Sequence, residues 1–367
     1  MWKQASLFAL VAAVAACSGD GSPNPVNGNE PADPTNPVEP PPEGVIIPEE
    51  IADDIGSVRW ERGEPGDGDD ELIITGLPLD DSPVEGVYTR APSEDLPGYL
   101  AFSKQDDRLD RIFVALAGET PDSAVRGYVA GEGGQFDIEY GGIFFERDGD
   151  FTPPDADTVN GLVSYAGRYA AVTDIADPEQ NLRLDPSGSD PSNPLPVPDG
   201  ATPFQGRTIN GKVFMNVDFA DNKLNGVIYD RTWSNGQALG DERYILLQDG
   251  DIDAAGNFAG NAAQQLAAPA PTEEEPNPVA DPPRAVGSYA GTFGGENASG
   301  MVGAFSASEH IRRQVPPDPD DPGAPPAFED VQFSTERGIW TIPRCGESNS
   351  DPVCGELRDV EGIIAPQ

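Results

Sequence analysis

Histidine is all but missing from this chain of 367 residues, which has one, His310. A Ser–His–acid triad would have to use that residue, and no nucleophile-elbow sequence accompanies it. Cysteine is nearly as scarce, at three, and no C-x₂-C spacing occurs, so a thiolate–imidazole zinc site has no ligand set. Haem could take His310, Met215, Met301 or a Tyr as an axial ligand, but no spacing selects one. No Gly-rich loop of the P-loop or dinucleotide type is present. Cations are sparse as well, with 22 Lys+Arg against 64 Asp+Glu and a formal net charge of −42. Such a surface repels phosphate backbones and anionic lipid, which argues against a nucleic-acid partner. It suits solubility outside the cell. These absences point away from an enzyme and leave no cofactor to expect.

What the chain has in excess is Gly (42) and Pro (39), concentrated in turns and linkers, with 37% hydrophobic residues left for a core. One sustained apolar run stands out, Ala5 to Ala16, behind the positive charge of Lys3. It has signal-peptide length and is too short to span the ~30 Å of bilayer hydrocarbon as a helix. It ends Val14-Ala15-Ala16-Cys17, which resembles a bacterial lipobox. The resemblance implies cleavage before Cys17 and acylation of its thiol and its new amine, and several acyl chains give stable anchoring. Ser18 and Gly19 follow Cys17 where an inner-membrane retention signal would place Asp, which favours the outer membrane. We therefore expect a signal peptide over 1–16 and a lipidated, acidic, Pro-rich disordered tether over 17–56. With Cys17 assigned to lipid, Cys345 and Cys354 remain, and an even number in an exported chain predicts a disulfide.

Residues 57–155 read as a small β-rich subdomain. Val58 and Trp60 alternate with charged neighbours. Short apolar runs follow at Glu71–Ile74, Gly86–Thr89, Gly98–Phe102, Arg111–Leu116, Val125–Ala130, Gln135–Tyr140 and Gly142–Arg147, separated by Gly and Pro. Asp148-Gly149-Asp150 reads as a turn closing the sheet.

Residues 156–367 carry the clearest alternation in the chain. Val213, Met215, Val217 and Phe219 share one face, Ala220–Lys223 make a turn, and Leu224, Gly226 and Ile228 start the return strand. Asp249, Asp251 and Asp253 imitate the start of an EF-hand, but Ala254 and Gly260 occupy the places of the required Gly and Glu. A hairpin turn is the better reading. Three Pro-rich insertions, Pro186–Pro203, Ala267–Ala285 and Val315–Pro326, interrupt the strands. Phe328–Thr341 is expected to give one or two strands, with Phe333 and Trp340 as packing anchors.

Four elements then recur in order. They are Tyr165-Ala166-Gly167; Val217-Asp218-Phe219 with Leu224-Asn225-Gly226; Gly256-Asn257-Phe258-Ala259-Gly260; and Gly291-Thr292-Phe293 with Gly295, Ala298 and Gly303-Ala304-Phe305. This series resembles the transferrin-binding-protein-B-like β-barrel family of Gram-negative surface lipoproteins. The turn departs from the family, with Gly-Gly-Glu where Tyr-Gly-Pro is frequent. The resemblance implies an all-β fold: a C-terminal antiparallel barrel of about eight strands, preceded by a small handle-like β-sheet. It implies a non-catalytic binding module anchored in the outer membrane and facing the cell surface. The partner would be an extracellular protein or a small iron or haem-type ligand. A small-solute or haem carrier, or a structural or adhesive envelope lipoprotein, are the other readings.

Overall fold

The computed structural model describes residues 44–64, 68–77, 85–135, 138–154, 162–184, 202–239, 243–266, 282–307, 312–315, 327–330, 335–346 and 352–355. Cys17, His310, Phe333 and the centres of all three Pro-rich insertions lie outside these. The fold is all-β, built as a curled seven-stranded sheet beside a closed eight-stranded barrel.

The sheet comprises β1 (Ser57–Glu61), β2 (Glu71–Thr75), β3 (Glu85–Arg90), β4 (Leu100–Lys104), β5 (Phe113–Glu119), β6 (Val125–Glu132) and β7 (Gly141–Arg147). Each strand pairs antiparallel with the next in sequence. The sheet is nearly closed: Trp60 of β1 reaches edge-on to Tyr128 of β6, with ring centroids 6.2 Å apart. Leu72, Ile74, Tyr88, Phe102, Phe113 and Phe144 fill the concave side. Of the run Gln135–Tyr140, predicted as a strand, the described residues form no strand; Gln135 and Ile138 pair in an antiparallel bridge. Gly133 and Gly134 end the ladder there, and Gly134 takes a positive φ of 82°.

The barrel is a simple meander: β8 (Leu162–Ala176), β9 (Gly206–Asp218), β10 (Lys223–Trp233), β11 (Arg243–Ile252), β12 (Asn257–Leu266), β13 (Arg284–Gly294), β14 (Gly300–Ala307) and β17 (Glu336–Pro343), which closes onto β8. Strands β15 (Arg312–Val315) and β16 (Ala327–Asp330) pair only with each other. Of the expected Phe328–Thr341 region, therefore, only β17 joins the barrel wall.

Side chains fill the barrel. Inward-facing Val213, Met215, Val217 and Leu224 meet Tyr165, Tyr289, Phe258, Phe293, Phe305 and Trp340 in one core. Phe293 is the hub at one end, 5.0 Å from Phe219, 5.2 Å from Phe258 and 5.5 Å from Tyr165 between ring centroids. Phe151, from the linker before the barrel, stacks on Phe219 and plugs that end. A second core lies between the two units, with Leu116, Val129, Ile143 and Phe145 of the sheet facing Ala170, Val172, Val302, Ala304 and Ile339 on the outside of the barrel.

Residues 44–56 correct the tether expected to run to 56. Ile47, Ile51 and Ile55, spaced four apart, turn inward through the short helix α1 (Glu49–Ala52). Asp54 N–H donates to Gly141 O at 3.0 Å and its carboxylate accepts Gly141 N–H, so this strap lies along the edge strand β7. At the other terminus Cys345 and Cys354 are disulfide-bonded, with Cα atoms 5.7 Å apart. The bond holds α2 (Pro352–Gly355), whose Val353 packs on Ala166, Phe214, Val227 and Tyr229 of the outer barrel wall.

Candidate binding rim

An up-and-down barrel sends alternate connections to opposite ends. Here the two ends differ sharply. At the plugged end the connections are the short turns 219–222, 253–256 and 295–299. At the other end they are 177–205, 234–242, 267–283 and 308–335. All three Pro-rich insertions therefore leave and rejoin the barrel at one rim, marked by Ala176 paired to Gly206, Arg243 to Leu266 and Ala307 to Glu336.

The short turns are built by their own side chains. Asp218 Oδ1 accepts Ala220 N–H at 2.9 Å and Asp221 N–H at 3.2 Å, and Asn222 takes a φ of 54°. Asp253 Oδ1 accepts Ala255 N–H and Asn257 N–H, each at 2.8 Å. Asp249 is held by Asn225 Nδ2 and Asp251 by Lys223. The three EF-hand-like aspartates thus face three separate partners. Among the described residues no group of three His, Cys, Asp or Glu is placed to hold a metal ion.

The remaining motif residues sit inside the wall. Tyr165, Val217, Leu224, Phe258, Phe293, Ala298 and Phe305 are buried in the barrel core. Their glycines make room for side chains rather than bending the strand. A Cβ on Gly303 would lie 2.1 Å from the Trp340 ring, and one on Gly291 would lie 2.3 Å from Phe258. Gly226 lies under Met215, Gly260 under Tyr289 and Gly167 under Ile342 in the same way. Gly256 and Gly295 differ, since they take φ of 80° and 76° in turns.

The rim itself mixes apolar and charged groups. Phe204 and Leu184 flank the first insertion and are 39% and 44% exposed. Both are fixed to the neighbouring sheet: Gly133 N–H donates to Phe204 O at 3.0 Å, and Leu184 N–H to Gln105 Oε1 at 2.7 Å. Arg207 lies over the Trp233 ring at 4.0 Å, and burial pushes its guanidinium pKa down despite Asp177 and Glu179 nearby. Beneath them, inside the barrel, Arg231 pairs with Glu336, whose Oε1 accepts the Tyr169 hydroxyl at 2.7 Å. Burial, then Glu336, drives the Tyr169 pKa well above its ordinary value.

Where sheet meets barrel below the rim, carboxyl groups crowd together. Asp174 Oδ1 accepts Thr335 N–H at 3.0 Å, and the Thr335 hydroxyl donates to Glu139. Arg337 pairs with Asp53 and lies 3.7 Å from Glu139. Glu132, buried, pairs with Arg111 and accepts Tyr140 N–H at 3.0 Å. Burial raises Glu132 to about 7 against the pull of Arg111. Burial and then the Glu139 charge raise Asp174 to about 7. None of these residues forms a sequence motif; only the pairing of β17 with β8 and the docking of the sheet bring them together.

The described residues begin at the plugged end. Asn257 Nδ2 donates to Gly44 O at 2.7 Å. Beside it, Arg147 Nη1 donates to Ala255 O, Thr292 Oγ1 and Phe293 O at 2.7, 3.0 and 3.2 Å. Burial lowers the Arg147 pKa.

No protein-family profile matches the chain. No curated protein matches it either. Solved structures similar to it are transferrin-binding proteins B. Intact Ap-TbpB, with N and C lobes, is 12% identical over 77% of this chain and 43% of its own, with a TM-score of 0.32. A double mutant of the vaccine antigen TbpB from Haemophilus parasuis Hp5 is 13% identical over 77% of this chain and 41% of its own, at 0.32. The isotype 1 TbpB from serogroup B Neisseria meningitidis is 10% identical over 80% of this chain and 52% of its own, at 0.29. The chain thus spans about two-fifths to one-half of the length of these solved proteins.

Proposed function

We propose that this protein is a non-catalytic binding module, lipid-anchored through Cys17 to the outer membrane with its insertion-bearing rim directed outward. The observation that carries the reading is the polarity of the molecule. The described chain enters at the plugged end, at Gly44 beside Asn257, while every long barrel connection leaves from the opposite rim. Loops on a rigid scaffold are where recognition is most readily placed.

The partner class is an extracellular protein with basic character, drawn to a chain of net charge −42. Exposed Phe204 and Leu184 offer apolar contact between the charged groups. A carrier that holds its ligand inside the barrel is less well supported, because interlocked rings and glycines occupy that interior.

The test uses the full acylated protein on living cells. A photocrosslinker at Phe204 or Gln237 is expected to capture an extracellular protein, whereas one at Asp221, in a turn of the plugged end, is not. Removal of 186–200, 268–281 and 317–326 is expected to abolish capture while leaving the barrel folded by near-UV circular dichroism. Equal capture from both ends, or capture that survives the deletions, overturns the receptor reading. Shaving intact cells with a protease tests the outward orientation separately.

A further inference from the structure

The crowded carboxyl groups between sheet and barrel take no part in the proposed contact at the rim. Glu139 projects from the β6–β7 connection of the sheet, and Asp174 from the rim end of β8 in the barrel. The two carboxyl groups lie within hydrogen-bonding reach of each other, a contact that needs one of them to keep a proton. Thr335, just before β17, is shared by both: its N–H donates to Asp174 and its hydroxyl to Glu139 Oε1. The other Glu139 oxygen, Oε2, is buried and receives no N–H or hydroxyl donor among the described residues.

We propose that Asp174 and Glu139, joined through Thr335, form a proton-dependent clasp that holds the sheet against the barrel beneath the rim, closed while Asp174 keeps its proton and loosened when it ionises. Burial and the facing carboxylate put the transition of Asp174 near 7, inside the physiological range. Every element around the pair contributes a charge. Asp53 and Asp54 come from the strap, Arg111 and Glu132 from the sheet strands β5 and β6 and their approach, and Arg337 from β17. Arg337 lies 3.7 Å from Glu139, and Asp53 already engages it. Arg111 is committed to Glu132. A second negative charge at the pair is therefore only partly offset, in buried surroundings where like charges repel strongly. The clasp lies just before residue 177, where the first insertion leaves the barrel, so its opening would free the base of the rim.

The proposal does not depend on any partner, and it is tested on the purified full chain by hydrogen exchange between pH 5.5 and 8.5, corrected for the intrinsic exchange rate. Peptides covering Thr335–Arg337 and Glu139–Gly142 are expected to lose about tenfold or more in protection, with a midpoint near 7. Peptides from the plugged end should not change. In D174N the amide donates to Glu139 at every pH, and the transition should vanish with the seam protected. In E139Q the new amide donates to an ionised Asp174, and the transition should fall below pH 5.5. These two variants fail in different ways, so a folding defect in one leaves the other decisive. Protection that is flat with pH, or a midpoint near 7 in both D174N and E139Q, would overturn the clasp.

Discussion

Arg147 of β7 reaches across from the sheet to the barrel and donates Nη1 to the carbonyl of Phe293 in β13 at 3.2 Å. The same nitrogen serves Ala255 O and Thr292 Oγ1, and Nε serves Gly149 O. No carboxylate forms an ion pair with it among the described residues; the buried charge is held by carbonyl and hydroxyl oxygens. Replacing it with Met removes several charge-assisted hydrogen bonds and leaves buried acceptors without donors. R147M is expected to lose about 2–4 kcal/mol of unfolding free energy in urea. R147K, whose ammonium is a point donor without the planar fork, should recover only part of that loss.

Gly303 and Trp340 occupy one space on the inner barrel wall. A Cβ on residue 303 would stand 2.1 Å from the indole. G303A is expected to destabilise by about 1–3 kcal/mol through overpacking, and W340A by about 3–5 kcal/mol through the cavity it leaves. The double variant should cost less than the sum of the singles, because each relieves the strain or void left by the other. Additive losses in a urea denaturation cycle would show that the two do not share that space.

The Cys345–Cys354 bond closes a short loop, with a sequence separation of 9. Loss of the bond in C345S/C354S is expected to lower stability by about 2–3 kcal/mol through restored freedom of the unfolded chain. The local consequence should be release of α2, seen as faster hydrogen exchange in the outer-wall peptides around Phe214 and Val227, which Val353 covers. The inner core around Phe293 should keep its protection.

Stability is expected to decline as pH rises from about 4 to about 7. Asp174 and Glu132 have folded-state pKa values near 7, above ordinary values of 3.8 and 4.5, so across that window the folded chain binds more protons than the unfolded one. The penalty for ionising them is absent below their unfolded values and complete above their folded ones. Asp122 opposes this only at lower pH. Although burial works against it, hydrogen bonds from Ser299 and Thr120 hold its pKa down, and that contribution is lost on further acidification. Urea midpoints measured at pH 5 and pH 8 should therefore favour pH 5. A higher midpoint at pH 8 would contradict these shifts.

Much of the barrel was legible because β-periodicity is a local signal. The alternation from Val213 to Phe219 places its residues on the inner face, and the Gly–aromatic series marks the strands around it. Even there the role of the glycines was hidden. Gly303 makes room for Trp340, and Gly338 for Tyr169, contacts between residues on different strands that no local pattern reveals. The strap 44–56 was masked by its Pro and acidic surroundings, although Ile47, Ile51 and Ile55 carried a helical spacing. The rim was half legible: the insertions were visible as Pro-rich stretches, but their convergence depends on strand parity and on β17 skipping the β15–β16 pair to close on β8. The clasp had no signal at all, since Glu139, Asp174 and Thr335 are far apart in sequence and meet only once both units have formed.

The separation of short turns from long connections makes the molecule a natural display frame. Hydrogen-bonded register between neighbouring strands is set along their length, so extra residues added within a long connection need not propagate into the ladder. A foreign peptide spliced between Pro186 and Pro203 would be presented next to whatever follows Ala307, on the face turned away from the entering segment at Gly44. Composite surfaces drawn from stretches remote in sequence can then diversify while the staves that carry them stay unchanged.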